Sequence, residues 1–276
     1  MYETHEQVAG EESDLELAVR IAGEAGRLLV ELREGALRSG IGAAELKRWG
    51  DTFSQTFLAR ELNVYRRSDA VLSEEAPDDP SRTSKERVWI IDPLDGTREF
   101  SENRHDWAVH VALWCSDHLE VGAVALPGLE LVLDSGTRPP DRRPLEGPIR
   151  LAVSRTRASE LVGTLAGRLE AELVPMGSAG FKVAAVVRGE VDAYVHSGGQ
   201  YEWDSAAPVA VASGHGLFVS RIDGSELTYN QRDPYLPDLL VCRPELAPML
   251  LAHIAEISQA SNPHMLGLDT DGMYAR

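Results

Sequence analysis

The sequence predicts an α+β fold built in two halves, and three observations carry that prediction. Helical periodicity dominates the first part of the chain, up to about residue 67. An antiparallel pair of strands follows. Beyond a stretch rich in proline and charge, "RPPDRRPLEGP" at 138–148, strand-like and helix-like segments alternate. That stretch divides the chain into an N-terminal α+β half, residues 1–147, and a C-terminal α/β half, residues 148–276.

Each element has a local reason. Ser13-Asp14-Leu15-Glu16 has the spacing of a capping box and opens a helix to about Leu37. Leu17, Ile21, Ala25, Leu28, Leu29 and Leu32 fall on one face of it, and Gly35 with the rest of "GALRSGIG" is expected to end it. A second helix is expected over 52–67, then a short strand, "AVLSEEAP", running into acids, and a polar loop to Glu86. Residues 88–92 read as a buried strand. "DWAVHVALW" alternates with Trp107, Val109, Val111 and Leu113 on one face, and "LEVGAVALP" pairs with it after a short turn. The second half reads as segments at 149–153, 158–170, 172–175, 179–188, 191–195, 204–213 and 216–220. A hairpin around Asp223-Gly224, a strand at 238–242 and a helix at 244–257 complete it, and the polar tail from Ser258 is expected to fray.

Composition narrows the function. A chain of 276 residues with 43% hydrophobic residues can bury an ample core. No apolar run approaches the roughly 18 residues of a membrane span, and the acidic start, "MYETHEQVAGEESD", is not that of a signal peptide. Cys115 and Cys242 lack metal-type spacing and read as reduced thiols of a cytoplasmic protein. With 27 Lys and Arg against 44 Asp and Glu, the net charge of −17 repels a nucleic-acid polymer. A small anionic substrate remains compatible if cations are recruited locally. The sequence has no G-x-x-x-x-G-K-[ST], G-x-G-x-x-G, G-x-S-x-G or H-E-x-x-H pattern, and the nucleotide-fold and serine-hydrolase readings lose their main support.

The chemistry concentrates in "VWIIDPLDGTREF", residues 88–100, where an apolar strand ends on Asp92 and Asp95. Pro93 fixes the chain direction there, Gly96 permits a tight backbone, and Thr97 can begin a short helix with free N–H groups facing the site. A phosphate held through Mg²⁺ satisfies both the carboxylates and the amides. Glu74 and Glu75 end the preceding strand, and Asp204 in "YEWDSAAP" stands where a helix should begin, as a metal ligand or a simple N-cap. Several strand-end acids together point to a two-metal phosphoryl-transfer site.

In order and spacing, Glu74-Glu75, the D-P-x-D-G-T run Asp92–Thr97 and Trp203-Asp204-Ser205-Ala206-Ala207 resemble the inositol monophosphatase superfamily, over roughly residues 14–257. The resemblance implies a layered αβαβα sandwich, shared with the fructose-1,6-bisphosphatase type, a homodimer, lithium sensitivity and two or three Mg²⁺ per site. It implies that Glu74, Asp92, Asp95, Asp204 and the Leu94 carbonyl bind metal, with no ligand role for Glu75. Thr97 would orient the attacking water, and the Gly96 and Thr97 amides would hold phosphate. In "RWGDTFSQTF" the chain departs from the family's V-T-x-x-D: Thr52 fits, Gln55 replaces the aspartate, Trp49 takes an Asp or Ser position, and Asp51 is the nearest acid and the candidate replacement.

"MGSAGFK" with Ser178, Gly180 and Lys182, "DAYVHSGGQYEWD" with His196, and "YNQRDPYLPDLLVCRPE" resemble the bacterial, especially actinobacterial, branch that removes the 3′-phosphate from 3′-phosphoadenosine 5′-phosphate. His196 stands where inositol-cleaving members place an acid and suits a second phosphate; Lys182 would meet phosphate or water. Inositol phosphates or sugar bisphosphates are the alternative substrates, and a non-catalytic metabolite-binding protein the alternative class. Arg98, Arg104 and His105, close after the motif, read as solvated charge.

Overall fold

The computed structural model describes residues 12–137, 144–156 and 158–261. The acidic N-terminal stretch to Glu11, most of the proline-rich divider and the tail beyond Ser261 lie outside the described residues. Strands β1 (Ala70–Ser73), β2 (Arg87–Asp95), β3 (Ala108–Cys115), β4 (His118–Leu126) and β5 (Leu131–Asp134) lie side by side in chain order. β1 runs parallel to β2 and the other pairs are antiparallel. A second sheet takes β6 (Arg150–Ser154), β7 (Glu172–Met176), β8 (Ala193–Tyr201), β9 (Phe218–Ser220) and β10 (Tyr235–Cys242) in the order β7-β6-β8-β10-β9. β6 is parallel to β7 and β8, and β10 is antiparallel to β8 and β9.

Seven helices fill the layers around these sheets among the described residues: α1 (Asp14–Arg38), α2 (Ala43–Tyr65), α3 (Thr97–Ser101), α4 (Glu160–Leu169), α5 (Ala179–Val187), α6 (Glu202–Gly214) and α7 (Ala247–Ser261). The stripe Trp107, Val109, Val111 and Leu113 packs with Leu17, Ile21 and Leu29 of α1 and Leu58 of α2. The other face of the same sheet, with Ile90, Ala112 and Val124, packs on Val183 of α5 and Ala207 and Val211 of α6, which also cover Tyr194 and Leu239 of the second sheet. Leu151, Val195 and Leu240 turn away from that layer onto α4 and α7. Helix, sheet, helix, sheet, helix is the layered sandwich that the resemblance implies.

Several boundaries differ from expectation. α1 runs past Gly35 to Arg38, and the turn falls instead at Gly40, whose φ is 69°. α2 begins at Ala43 rather than 52, because its N-cap, Gly42, has no side chain to announce it. β5 was not anticipated: its four residues are all half-buried, without alternation. Asp223-Gly224 forms a turn, with Gly224 N donating to Arg221 O at 3.0 Å, inside a longer connection between β9 and β10 rather than a tight hairpin. α7 continues through Ser258 to Ser261. No helix among the described residues is long and apolar enough to cross a membrane.

The central layer is packed to contact. A Cβ on Gly122 of β4 would lie 2.6 Å from Ala210 Cβ and 2.9 Å from Ala207 O of α6, whereas one on Gly163 of α4 meets nothing within 4 Å. Gly122→Ala should therefore destabilise the protein by about 1–3 kcal/mol. Gly163→Ala should stabilise it by up to about 1 kcal/mol, since alanine is the better helix former. Urea unfolding of the two variants checks both signs.

Candidate active site

β2 carries an unbroken buried run into the middle of the molecule and ends there on acids. Asp92 pairs in register with His110 of β3, and the register slips before Asp95 pairs with Ala108. Asp92 Oδ1 accepts from Leu94 N at 3.0 Å, while its Oδ2 is buried with no hydrogen-bond partner. Asp95 reaches the start of α5 and accepts from Ala179 N at 3.2 Å and Gly180 N at 2.6 Å. Asp204 is the third residue of α6 rather than its N-cap, and its Oδ2 accepts from Tyr201 N at 2.6 Å. One carboxylate oxygen from each of Asp92, Asp95 and Asp204 lies within 4.8 Å of the others.

Such crowding shifts protonation. Burial first, then the charge on Asp95, pushes the Asp92 carboxyl well above its ordinary value. Burial and then Asp204 raise Glu74, just beyond β1, to about 7, although its outer side is open to solvent. Burial and then Asp95 raise Asp204 to about 6. Asp95 is the exception. Burial opposes its charge, but His110 and the Gly180 amide outweigh burial and hold it below the ordinary value. His110 is fully buried, with Nδ1 3.0 Å from Trp203 O and Nε2 3.2 Å from Asp95 Oδ2, an ionic approach rather than an aligned hydrogen bond. Burial resists its protonation and Asp95 overcomes that resistance, raising the imidazole above its ordinary value.

Hard oxygen donors, an orphaned buried carboxylate oxygen and mutual repulsion fit a divalent cation of the Mg²⁺ type. Asp92, Asp95 and Asp204 would hold it, with Glu74 beside Asp92.

The departure in the second helix has a structural counterpart. Thr97 Oγ1 lies 3.4 Å from Asp51 Oδ1 and 3.3 Å from the Leu94 carbonyl. Burial, then the nearby charge of Glu75, raises Asp51 to about 6. Gln55 faces elsewhere and accepts from Ser73 Oγ at 2.6 Å, and Trp49 is 39% exposed. Asp51 and Thr97, about two turns into α2 and at the start of α3, are thus neighbours in space.

A cleft of about 840 Å³ opens from the carboxylates between β8 and the start of α4, lined by Glu74, Asp95, Asp204, Lys182 and His196 among others. Ser178 caps α5 by accepting from Phe181 N at 3.1 Å. Gly180 gives its amide to Asp95, and a Cβ there would run into His110. Gly96, with φ 89°, has room for no side chain either, since a Cβ would come 2.9 Å from Ser178 Cβ. Lys182 is buried and turned back on its own helix entry, donating to the Gly177 carbonyl and, at 2.7 Å, to the Ser178 carbonyl. His196 Nε2 lies 2.9 Å from Gly199 O, and burial holds the ring below its ordinary value, so it is neutral. Arg98 and Arg104 pair with Glu102 and Asp106, and neither they nor His105 line the cleft. The sequence reading missed His110. Its signal was a lone polar residue inside an otherwise apolar strand, one position from the Trp107–Leu113 stripe.

Over residues 18–139 and 137–259 the sequence matches the inositol monophosphatase family, and the chain belongs to it. It is 48% identical over 245 residues to a protein named 3′-phosphoadenosine 5′-phosphate phosphatase in Mycobacterium tuberculosis, covering 84% of this chain and 90% of that one. It is 46% identical over 263 residues to a protein of the same name in Mycobacterium leprae, covering 90% of this chain and 95% of the other. The fold is shared with the crystal structure of CysQ from Bacteroides thetaiotaomicron at a TM-score of 0.69 and 22% identity, over 84% of this chain and 97% of that one.

The acid cluster implies a pH dependence. Asp92, Asp204 and Glu74 have folded pKa values above their ordinary ones, so their protons favour the fold. Their contribution is fully present below the unfolded values, near 4, and is lost as pH rises through about 6 to 7. Carboxyls held low by arginine, such as Asp14 and Asp106, act in the opposite sense but below that window. In EDTA the melting temperature should fall between pH 5 and 8. Mg²⁺ should restore it, and by more at pH 8 than at pH 5. A melt in EDTA that rises across this range would contradict the repulsion.

Proposed function

We propose that this protein is a Mg²⁺-dependent phosphatase that removes the 3′-phosphate of 3′-phosphoadenosine 5′-phosphate and leaves AMP. The observation that carries the reading is the carboxylate triad, held within 4.8 Å at the inner end of a cleft large enough for a nucleotide. The names of the relatives at 46–48% identity support the same substrate. In this reading the protein is cytoplasmic, lithium-sensitive and homodimeric, with the metal motif in residues 1–147 and substrate selection in 148–276.

Two or three Mg²⁺ ions, held by Glu74, Asp92, Asp95, Asp204 and the Leu94 carbonyl, supply charge screening and Lewis-acid activation. The chain's own groups do the rest. Thr97 Oγ1, between the Leu94 carbonyl and Asp51, orients the attacking water. Asp51, raised to about 6, is suited to take the proton as the water oxygen bonds to phosphorus in line with the 3′-oxygen. The P–O3′ bond breaks, the 3′-oxygen takes a proton from solvent, Asp51 returns its own to solvent, and no phospho-enzyme forms. The Gly96 and Thr97 amides hold the transferred phosphate. Ser178 and Gly180 shape the site through the entry of α5. Lys182 and His196 border the space for the 5′-phosphate; Lys182 contributes positive potential from beneath the wall.

Phosphate release with Mg²⁺ from 3′-phosphoadenosine 5′-phosphate, inositol 1-phosphate and fructose 1,6-bisphosphate tests the reading. The nucleotide should give the highest kcat/KM, and a faster inositol phosphate would overturn it. Asp51→Asn should lower kcat about 100-fold or more while KM moves little, because proton transfer rather than substrate affinity is lost. Steady-state kinetics on the nucleotide measures the split, and wild-type turnover would remove Asp51 from the mechanism.

A further inference from the structure

Beyond the carboxylates, the cleft wall contains a second anomaly. β8 bulges at Ser197-Gly198-Gly199: its register with β10 slips between Leu236 and Asp238, and Gly199 has φ 82°. A Cβ on Gly199 would run into the Tyr235 hydroxyl, so the bulge is shaped around that ring. Just past it, opposite Leu236, Gln200 lines the cleft at 7% exposure. Neither its carboxamide oxygen nor its nitrogen has a hydrogen-bond partner. Leaving both halves of a buried amide unpaired is costly, and the other unpaired atoms at this end of the molecule, Asp92 Oδ2 and His110 Nε2, belong to the acid cluster.

A carboxamide presents one acceptor beside one donor in a plane. Its complement is a group with a donor beside an acceptor, the pattern of the adenine amino group and its neighbouring ring nitrogen. The next residue adds a flat surface. Tyr201 stacks on Trp203, with ring centres 4.8 Å apart and planes 13° apart, and Tyr235 stands edge-on to Tyr201 at 6.0 Å. Tyr201 and Tyr235 remain 45% and 50% exposed at the cleft, a surface that gains from a planar base and little from a polyol.

We infer that Gln200 selects the base: its oxygen accepts from the adenine amino group and its nitrogen donates to the adjacent ring nitrogen, with the base against Tyr201 and Tyr235. The inference rests on the nucleotide reading above and deepens it. Phosphate release should be measured on 3′-phosphoadenosine 5′-phosphate and on its hypoxanthine counterpart, in which an oxo group replaces the amino group. The wild-type protein should prefer adenine by about tenfold or more in kcat/KM. Gln200→Leu should bring the two substrates to within about threefold by slowing the adenine one. Gln200→Met, close in length and shape, should repeat the result and guards against a variant that fails to fold, which a thermal melt reports. A wild-type ratio near one, or variants that keep the wild-type ratio, would overturn the assignment while leaving the phosphatase reading standing. A wild-type protein inactive on both nucleotides would overturn that reading, and this inference with it.

Discussion

The structure depends on the burial of three mutually repelling carboxylates where both sheets and the middle helical layer meet. Asp92 and Asp95 end β2, and Asp204 enters from α6. Only in Asp95 does the protein outweigh the cost of burial, through His110 and two amides of α5. Asp92 and Asp204 are left with raised pKa values. A protein optimised for stability alone would not keep them. Their retention is explained by a cation, and the apolar layers on either side supply the stability that the acids cost.

Positioning these charges constrains neighbours that take no part in chemistry. The amide of Gly180 must approach Asp95, and its missing Cβ leaves space for His110. Ser54 Oγ donates to the Pro93 carbonyl at 2.7 Å, so α2 is anchored to the turn between the two aspartates. That anchor sets α2 so that Asp51 faces Thr97. One turn on, at Gln55, the helix has moved past the site toward Ser73. An acid at 51 and an amide at 55 are therefore compatible with a proton acceptor beside Thr97.

Much of this was legible in the sequence, for identifiable reasons. The capping box at Ser13 and Glu16 forms as read, because it is a local interaction between residues three apart. The Trp107–Leu113 stripe holds because one face of β3 meets one layer of helices. The start of α2 was hidden because glycine caps it without a side chain, and β5 because a strand half-buried throughout has no period. The directions of Lys182 and His196 were hidden for another reason. Both are polar residues at suitable positions, and only the tertiary structure shows their hydrogen bonds committed to backbone carbonyls. Gln200 gave no signal at all, since an unpaired amide is defined by what fails to surround it.

The placement of charge has a consequence for specificity. On a chain of net charge −17 the arginines nearest the motif are already paired: Arg98 with Glu102, Arg104 with Asp106, and Arg155 with Glu99 and Glu102. Lys182 is pinned beneath the cleft wall, and His196 is neutral. Attraction for a phosphate must then come chiefly from cations held by the acids, and such attraction distinguishes poorly between one phosphate ester and another. What distinguishes them has to be uncharged and to lie away from the carboxylates. The wall running from the β8 bulge through Gln200 to the Tyr201–Trp203 stack meets both requirements. It joins the acid cluster directly, since the amide of Tyr201 is the donor that positions Asp204. A base seated on Tyr201 would therefore rest on the same residue whose backbone positions Asp204, which would tie recognition of the base to the geometry of the acid cluster.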